Sequence, residues 1–343
     1  MRPRSFLCLA LLLLLAAASA CRAAADGIED HFRGKQIRLL IGSSAGGGYD
    51  TFARTIARYW GEHIPGHPTF VPQNMTGVMS LAVANNLYNS APADGTVVGA
   101  VNPQIASEAV LNPNRAKFDA RRFGWIGSAL RENQMAISWH AAPVARFDDL
   151  FTRELIVGGS GGADSSFPLL SNAILGTKFK VIGGYPGTRE INLAMQRGEV
   201  QGNAGITWAS IKSTLRDLLD SKQINLVAQY GIHDNPEPAG VPRVITYAKT
   251  AADRAALALL FDTQEFGRPY ILPPGTPAPI LAAMRTSFAA VMNDPAFRAE
   301  AAQRGLDIDP TPGEEIDNLV AELYAAPPET VARVAGILAQ PAK

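Results

Sequence analysis

Twice along this chain a short apolar strand runs straight into a glycine-rich turn and out again into a helix. The first unit is Gln36–Gly42 followed by Ser43-Ser44-Ala45-Gly46-Gly47-Gly48-Tyr49-Asp50. The second is Leu155–Gly158 followed by Gly159-Ser160-Gly161-Gly162-Ala163-Asp164-Ser165. A strand that hands the chain to a helix before pairing again predicts parallel neighbours, with helices covering the sheet. Further strand signals at Thr69–Pro72, Val97–Val101, Phe179–Gly183, Gln201–Ala204 and Ile224–Gln229 alternate with helix signals at Tyr49–His63, Ser80–Asn89, Ser165–Leu175, Glu190–Arg197 and Ser210–Leu219. In the first of these helices Phe52, Ile56, Tyr59 and Trp60 recur at helical spacing.

The alternation breaks once. Trp125–Gly127 and Met135–Trp139 read as extended with no long helix between them, which predicts a crossing from one lobe to another. Beyond Pro236, Pro238 and Pro242, an extended stretch over 268–272 and helices over 251–261, 277–292, 294–304 and 313–324 return to complete the first lobe. The expectation is a two-lobed α/β protein, each lobe a mostly parallel sheet flanked by helices. Residues 27–130 plus 250–343 would form lobe I and 131–249 lobe II. A chain of 343 residues is long enough to bury two cores of that size.

Residues 1–25 have a different character. Arg2 and Arg4 precede the apolar run Phe6–Ala18, and small residues follow as far as Ala25. That is the layout of a secretory signal, too short to span a bilayer. Cleavage after Ala25 leaves Asp26 first; cleavage after Ala20 leaves Cys21 first, the arrangement needed to acylate its thiol. Cys8 and Cys21 are the only cysteines, so no disulfide, thiol nucleophile or cysteine metal site is expected beyond residue 25. Exported and disulfide-free is a periplasmic profile. Lys+Arg and Asp+Glu number 31 each, without the basic excess of a nucleic-acid binder.

Chemistry gathers at the two glycine turns. Gly46, Gly47 and Gly48 let a ligand approach the amides at the start of the next helix, where unpaired N–H groups and the dipole favour an anion. Asp50 or Ser43 is placed to cap that helix. No lysine follows, as a Walker loop requires, and the spacing is not that of a dinucleotide fingerprint. Two such turns, one per lobe, sit at the carboxyl ends of strands and would grip one anion from both sides. Gly158-Gly159-Ser160-Gly161-Gly162 also satisfies the G-x-S-x-G pattern of a nucleophile elbow, but His233 is the only histidine after Ser160. His63 and His67 are separated by Pro65 and Gly66, which breaks a helical metal pair, so no metal site is expected.

From Lys35 to Tyr324 the chain resembles the substrate-binding proteins of tripartite tricarboxylate transporters, the Bug or TctC-like family. The resemblance rests on Ala45-Gly46-Gly47-Gly48-Tyr49-Asp50, Gln73-Asn74-Met75-Thr76-Gly77, Ala91-Pro92-Ala93-Asp94-Gly95, Gly159-Ser160-Gly161, Tyr185-Pro186-Gly187, Val241-Pro242 and Pro273-Pro274-Gly275-Thr276-Pro277. It implies a periplasmic receptor of type II-like architecture that closes on a small carboxylated metabolite and delivers it to a membrane permease, as a monomer without cofactor. The carboxylate would be held by backbone amides, hydroxyls and waters, with no mandatory arginine. The chain departs from the family at Thr76-Gly77-Val78-Met79-Ser80, at Tyr49 in place of a common threonine, and at Asp164 in the second loop.

The expected ligand-binding residues are therefore Gly46, Gly47, Gly48, Tyr49, Asp50, Thr76, Gly77 and Asn102 from lobe I. From lobe II they are Ser160, Gly161, Asp164, Ser165, Tyr185, Gly187, Thr207 and Trp208. Tyr185 and Trp208 are either pocket walls or core. The competing readings are a secreted hydrolase using Ser160 and a solute sensor serving a signalling partner.

Overall fold

The computed structural model describes residues 27–232 and 237–339; the expected signal segment, Cys21 and His233 lie outside them. The first sheet contains β1 (Gln36–Ile41), β2 (Thr69–Asn74), β3 (Val97–Ala100), β4 (Gly124–Ser128), β10 (Pro269–Leu272) and β11 (Thr311–Pro312), in the order β11-β4-β10-β3-β1-β2. The second contains β5 (Gln134–Trp139), β6 (Leu155–Gly158), β7 (Phe179–Ile182), β8 (Gly202–Thr207) and β9 (Ile224–Tyr230), in the order β7-β6-β8-β5-β9.

The two-lobed α/β architecture is as expected, but the sheets are mixed rather than mostly parallel. β1 runs parallel to β2 and β3, and β6 parallel to β7 and β8. β10 lies antiparallel to both β3 and β4, and β5 antiparallel to both β8 and β9. The physical reason is the crossing itself. Parallel pairing needs a helical crossover on the same sheet. β4 and β5 instead carry the chain directly from one sheet to the other, and β10 brings it back.

Helices fill in as the sequence periodicity requires. α1 (Gly48–Trp60) buries Phe52, Ile56 and Trp60 against the first sheet. Trp60 is fully buried, stacked on Phe70 at 4.8 Å and edge-on to Tyr270 and Phe288, with its Nε1 donating to Ser287 Oγ at 2.9 Å. Truncating such a side chain to alanine costs about 3–5 kcal/mol. Tyr59 packs at the margin of this core, edge-on to Phe297 at 5.8 Å, and its hydroxyl donates to Glu300 Oε2 at 2.8 Å.

α2 (Leu81–Asn89) and α3 (Ile105–Leu111) follow in the first lobe, and α4 (Ala163–Leu175), α5 (Thr188–Gln196) and α6 (Trp208–Thr214) in the second. α7 (Ala251–Phe261) lies where the chain turns back, and Phe261 closes a ring cluster with Phe167 of α4 and Tyr230 of β9 at 4.9 and 5.5 Å. α8 (Ala278–Asn293) and α9 (Gly313–Tyr324) pack on β4. α10 (Pro328–Leu338) packs on α3, α4 and α7, so it touches helices of both lobes.

Candidate functional site

Between the lobes, at the carboxyl ends of β1, β3, β6 and β8, lies a cavity of about 360 Å³. Its wall is built largely from the starts of helices. Gly48 and Tyr49 open α1, Ala163 and Asp164 open α4, and Thr188 and Arg189 open α5. Ser80 immediately precedes α2. A first-turn amide has no carbonyl four residues back to bond, and the dipoles of these helices all present their positive ends to the same space.

The first glycine loop does its work by division of labour. Gly46 adopts φ +78° and its amide donates to Asp50 Oδ2 at 2.9 Å. Gly48 is pressed against the opposite lobe, where a Cβ would stand 2.1 Å from Ser210 Oγ. Gly47 needs neither freedom, with φ −79° and ordinary room for a Cβ. Neither Asp50 nor Ser43 caps α1 in the expected way, because the capping position is Gly47. Asp50 instead sits buried in the first turn, tying Gly46, Arg54 and Asn74 together.

Past β2, Met79 and Ser80 both occupy left-handed backbone, at φ 49° and 61°, a conformation that costs of order 1 kcal/mol or more for residues with a side chain. The turn is held because Ser80 Oγ donates to the Gly42 carbonyl at 3.0 Å and accepts from the Asn102 amide at 3.0 Å. It carries Val78 and Met79 to the second glycine loop, where Gly161 and Gly162 face them. With Gly48 against Ser210, and Ser44 against Gly187, the two walls touch around the cavity.

Of the expected site residues, Gly47, Gly48, Tyr49, Thr76, Gly77, Asn102, Ser160, Asp164, Tyr185, Gly187 and Thr207 line the cavity. Gly46 and Asp50 stand behind it as loop supports. The Gly161 amide is taken by Ser165 Oγ at 3.0 Å, so these two hold the second loop rather than face the space. Trp208 is core: it packs with Met135, Ile206 and Ile211, and Lys212 lies over its ring.

Three groups in the lining are buried polar atoms without a partner among the described residues: Ser43 Oγ, Tyr49 Oη and Gln134 Oε1. Native interiors rarely leave such atoms unsatisfied unless something else meets them. The charged side chains in the lining are Arg189, exposed at the rim beside Gly46, and Asp164 in the wall. Burial pushes the Asp164 carboxyl above the usual aspartate range, against the opposing bonds from Ser160 and Ser165.

Behind the floor lies an ion pair that the sequence reading missed. Arg268 and Glu132, 2% and 3% exposed at their side chains, meet at 3.0 Å. Arg268 Nη2 also donates to Thr207 Oγ1 at 2.9 Å, and the Ala209 amide donates to Glu132 Oε2 at 3.0 Å. Burial raises the Glu132 carboxyl, with the Arg268 charge acting against it. The pair joins the crossing segment, the returning segment and the start of α6.

Ser160 is no activated nucleophile in this geometry. Its Oγ donates to Asp164 Oδ2 at 2.5 Å, a carboxylate rather than an imidazole. His63 is bonded to Asp294 at 2.8 Å and not to His67, and no group of three or more metal-ligating side chains occurs among the described residues.

No family model matches the chain, and no curated protein does. Solved structures do. The R. palustris protein Rpa4515 with adipate aligns at a TM-score of 0.68 and 20% identity, over 88% of this chain and 98% of that one. A TctC solute-binding protein from Polaromonas aligns at a TM-score of 0.61 and 16% identity, over 89% and 98%. The chain shares the fold of these two proteins. MatC of Rhodopseudomonas palustris with bound malate aligns at a TM-score of 0.65 and 15% identity, over 90% of this chain and all of that one.

Proposed function

We propose that this protein is a periplasmic solute-binding receptor of the tripartite tricarboxylate type. It captures a small carboxylated metabolite in the interlobe cavity and hands it to membrane permease subunits. The observation that carries the reading is the α1 N-terminus opening on an interlobe cavity beside the unpartnered hydroxyls of Ser43 and Tyr49. Oriented amides stabilise a carboxylate without the need for a buried cation. The adipate and malate carried by proteins of the same fold agree with that chemistry.

Nothing in the site calls for a chemical step: a closed cavity of fixed dipoles binds and releases. The receptor works by closure, with the ligand favouring the closed state because only there do both walls reach it. Lobe I comprises 27–130 plus 250–343 and lobe II 131–249 in this proposal, with Arg268–Glu132 at the joint between them. The receptor is exported by residues 1–25, free or anchored through Cys21, and acts as a monomer.

Native mass spectrometry of protein isolated without unfolding tests the reading. A retained small molecule whose mass and fragmentation identify a carboxylic acid is the expected result. A retained phosphate ester or sugar without a carboxylate would contradict it.

A further inference from the structure

A helix N-terminus that receives an anionic ligand keeps its loop amides and hydroxyls free for it. In the second glycine loop that place is taken by the chain itself. Asp164, the second residue of α4, turns its carboxylate back onto the loop. Its Oδ1 accepts from the Ser160 amide at 2.8 Å and from Ser165 Oγ at 3.1 Å, and its Oδ2 accepts from Ser160 Oγ at 2.5 Å. The Gly161 amide is occupied by Ser165. The carboxylate is 95% buried, yet it remains part of the cavity wall.

The same lobe contributes a second acceptor. Gln134 of β5, opposite Thr207 of β8, lines the cavity with an Oε1 that has no donor among the described residues and a residue exposure of 2%. Lobe I offers the opposite chemistry: the first-turn amides of Gly48 and Tyr49, and the unpartnered hydroxyls Ser43 Oγ and Tyr49 Oη. The two cations nearby also favour that side. Arg189 sits at the rim beside Gly46, and Arg268 lies beneath Gly48 with its charge matched by Glu132.

We propose that the cavity is polar in a directed sense. It takes a carboxylic acid whose far end carries a hydrogen-bond donor, an ammonium or a primary amide, and Asp164 selects against dicarboxylates. The carboxylate lies on lobe I and the donor on lobe II. A second carboxylate placed against the second glycine loop would meet the buried Asp164 carboxylate, which already takes the Ser160 amide and the Ser160 and Ser165 hydroxyls, and rejection of that kind is strong because charge is left buried and opposed. An ammonium there would offset the desolvation of the Asp164 carboxylate. This inference rests on the carboxylate-receptor reading.

The test is calorimetric titration of the intact receptor, freed of retained ligand, with γ-aminobutyrate, succinamate and succinate, and with ε-aminohexanoate, adipamate and adipate. In at least one length series the donor-bearing acids should bind more than about tenfold tighter than the dicarboxylate. Asp164→Asn should erase or reverse that ratio while the circular dichroism spectrum is kept and unfolding remains cooperative. A dicarboxylate that binds wild type as tightly as its donor-bearing partners overturns the inference and leaves the receptor reading standing, as does an Asp164→Asn variant with the wild-type ratio. Should none of the six acids bind, while the retained molecule proves to carry no carboxylate, both fail together.

Discussion

The guanidinium of Arg268 lies over the ring of Tyr49, 4.2 Å from its centroid, and reaches Glu132 Oε1 at 3.0 Å. One buried cation thus supports the first glycine loop by its face and the lobe crossing by its edge. Removing the carboxylate charge without changing shape, as Glu132→Gln does, leaves Arg268 buried and unmatched. The expected loss is about 3–5 kcal/mol of unfolding free energy in urea titrations. A loss below about 1 kcal/mol would mean that the pair is solvated in the folded protein.

Tyr49 Oη is buried and has no partner among the described residues. Tyr49→Phe should therefore leave unfolding free energy within about 0.5 kcal/mol of wild type, while weakening binding of the native acid by roughly tenfold through loss of one donor. Paired denaturation and titration experiments separate these effects. The opposite pattern would show that the hydroxyl serves the fold.

Gly48 and Gly47 make a matched pair of substitutions. Gly48→Ala places a methyl against Ser210 Oγ and should hold the lobes apart, weakening ligand binding by about 2 kcal/mol or more. Gly47→Ala meets nothing closer than 3.4 Å and should bind nearly as well as wild type. Gly48→Ala combined with Ser210→Gly should recover part of the affinity, as read by ligand-induced thermal stabilisation. Equal effects of the two alanines would remove Gly48 from the interlobe contact.

Burial raises the Asp164 carboxyl, so the folded state still holds its proton at a pH where the unfolded chain has released it. That group's contribution to stability therefore falls as pH climbs from the ordinary aspartate value, about 4, through the raised folded value. In ligand-free protein, Asp164→Asn should gain stability relative to wild type across that rise. Urea unfolding at several pH values measures the difference, and a gap that stays constant would contradict the assignment.

The repeating βα units were readable because each carries its own local signal: an apolar run, a glycine turn and an amphipathic helix such as Phe52-Ile56-Trp60. The mixed strand directions were not, since pairing between β10 and β4 joins segments far apart in sequence. The helices Ile105–Leu111 and Pro328–Leu338 were missed for different reasons. The first is only 7 residues long and starts close behind Pro103; the second buries little beyond Val334 and is held by tertiary contacts. In the site, both glycine loops were legible from composition, whereas Trp208 had an aromatic signal compatible with either wall or core and went to the core. Glu132 and Ser210 gave no local signal, and Arg268 gave little. Their roles arise from where the crossing and returning segments meet, and the one clue was an arginine placed immediately before the apolar strand Pro269–Leu272.

The central claim is that the cavity between the lobes holds a carboxylate at the N-terminus of α1. Thermal unfolding of ligand-free protein against a panel of three- to six-carbon carboxylic acids, each beside its methyl ester, addresses it most directly. At least one acid should raise the Tm by several degrees, with the matching ester, equal in shape but without the charge, giving little or no shift. Esters that stabilise as well as their acids, or a panel in which no acid stabilises at all, would contradict the account.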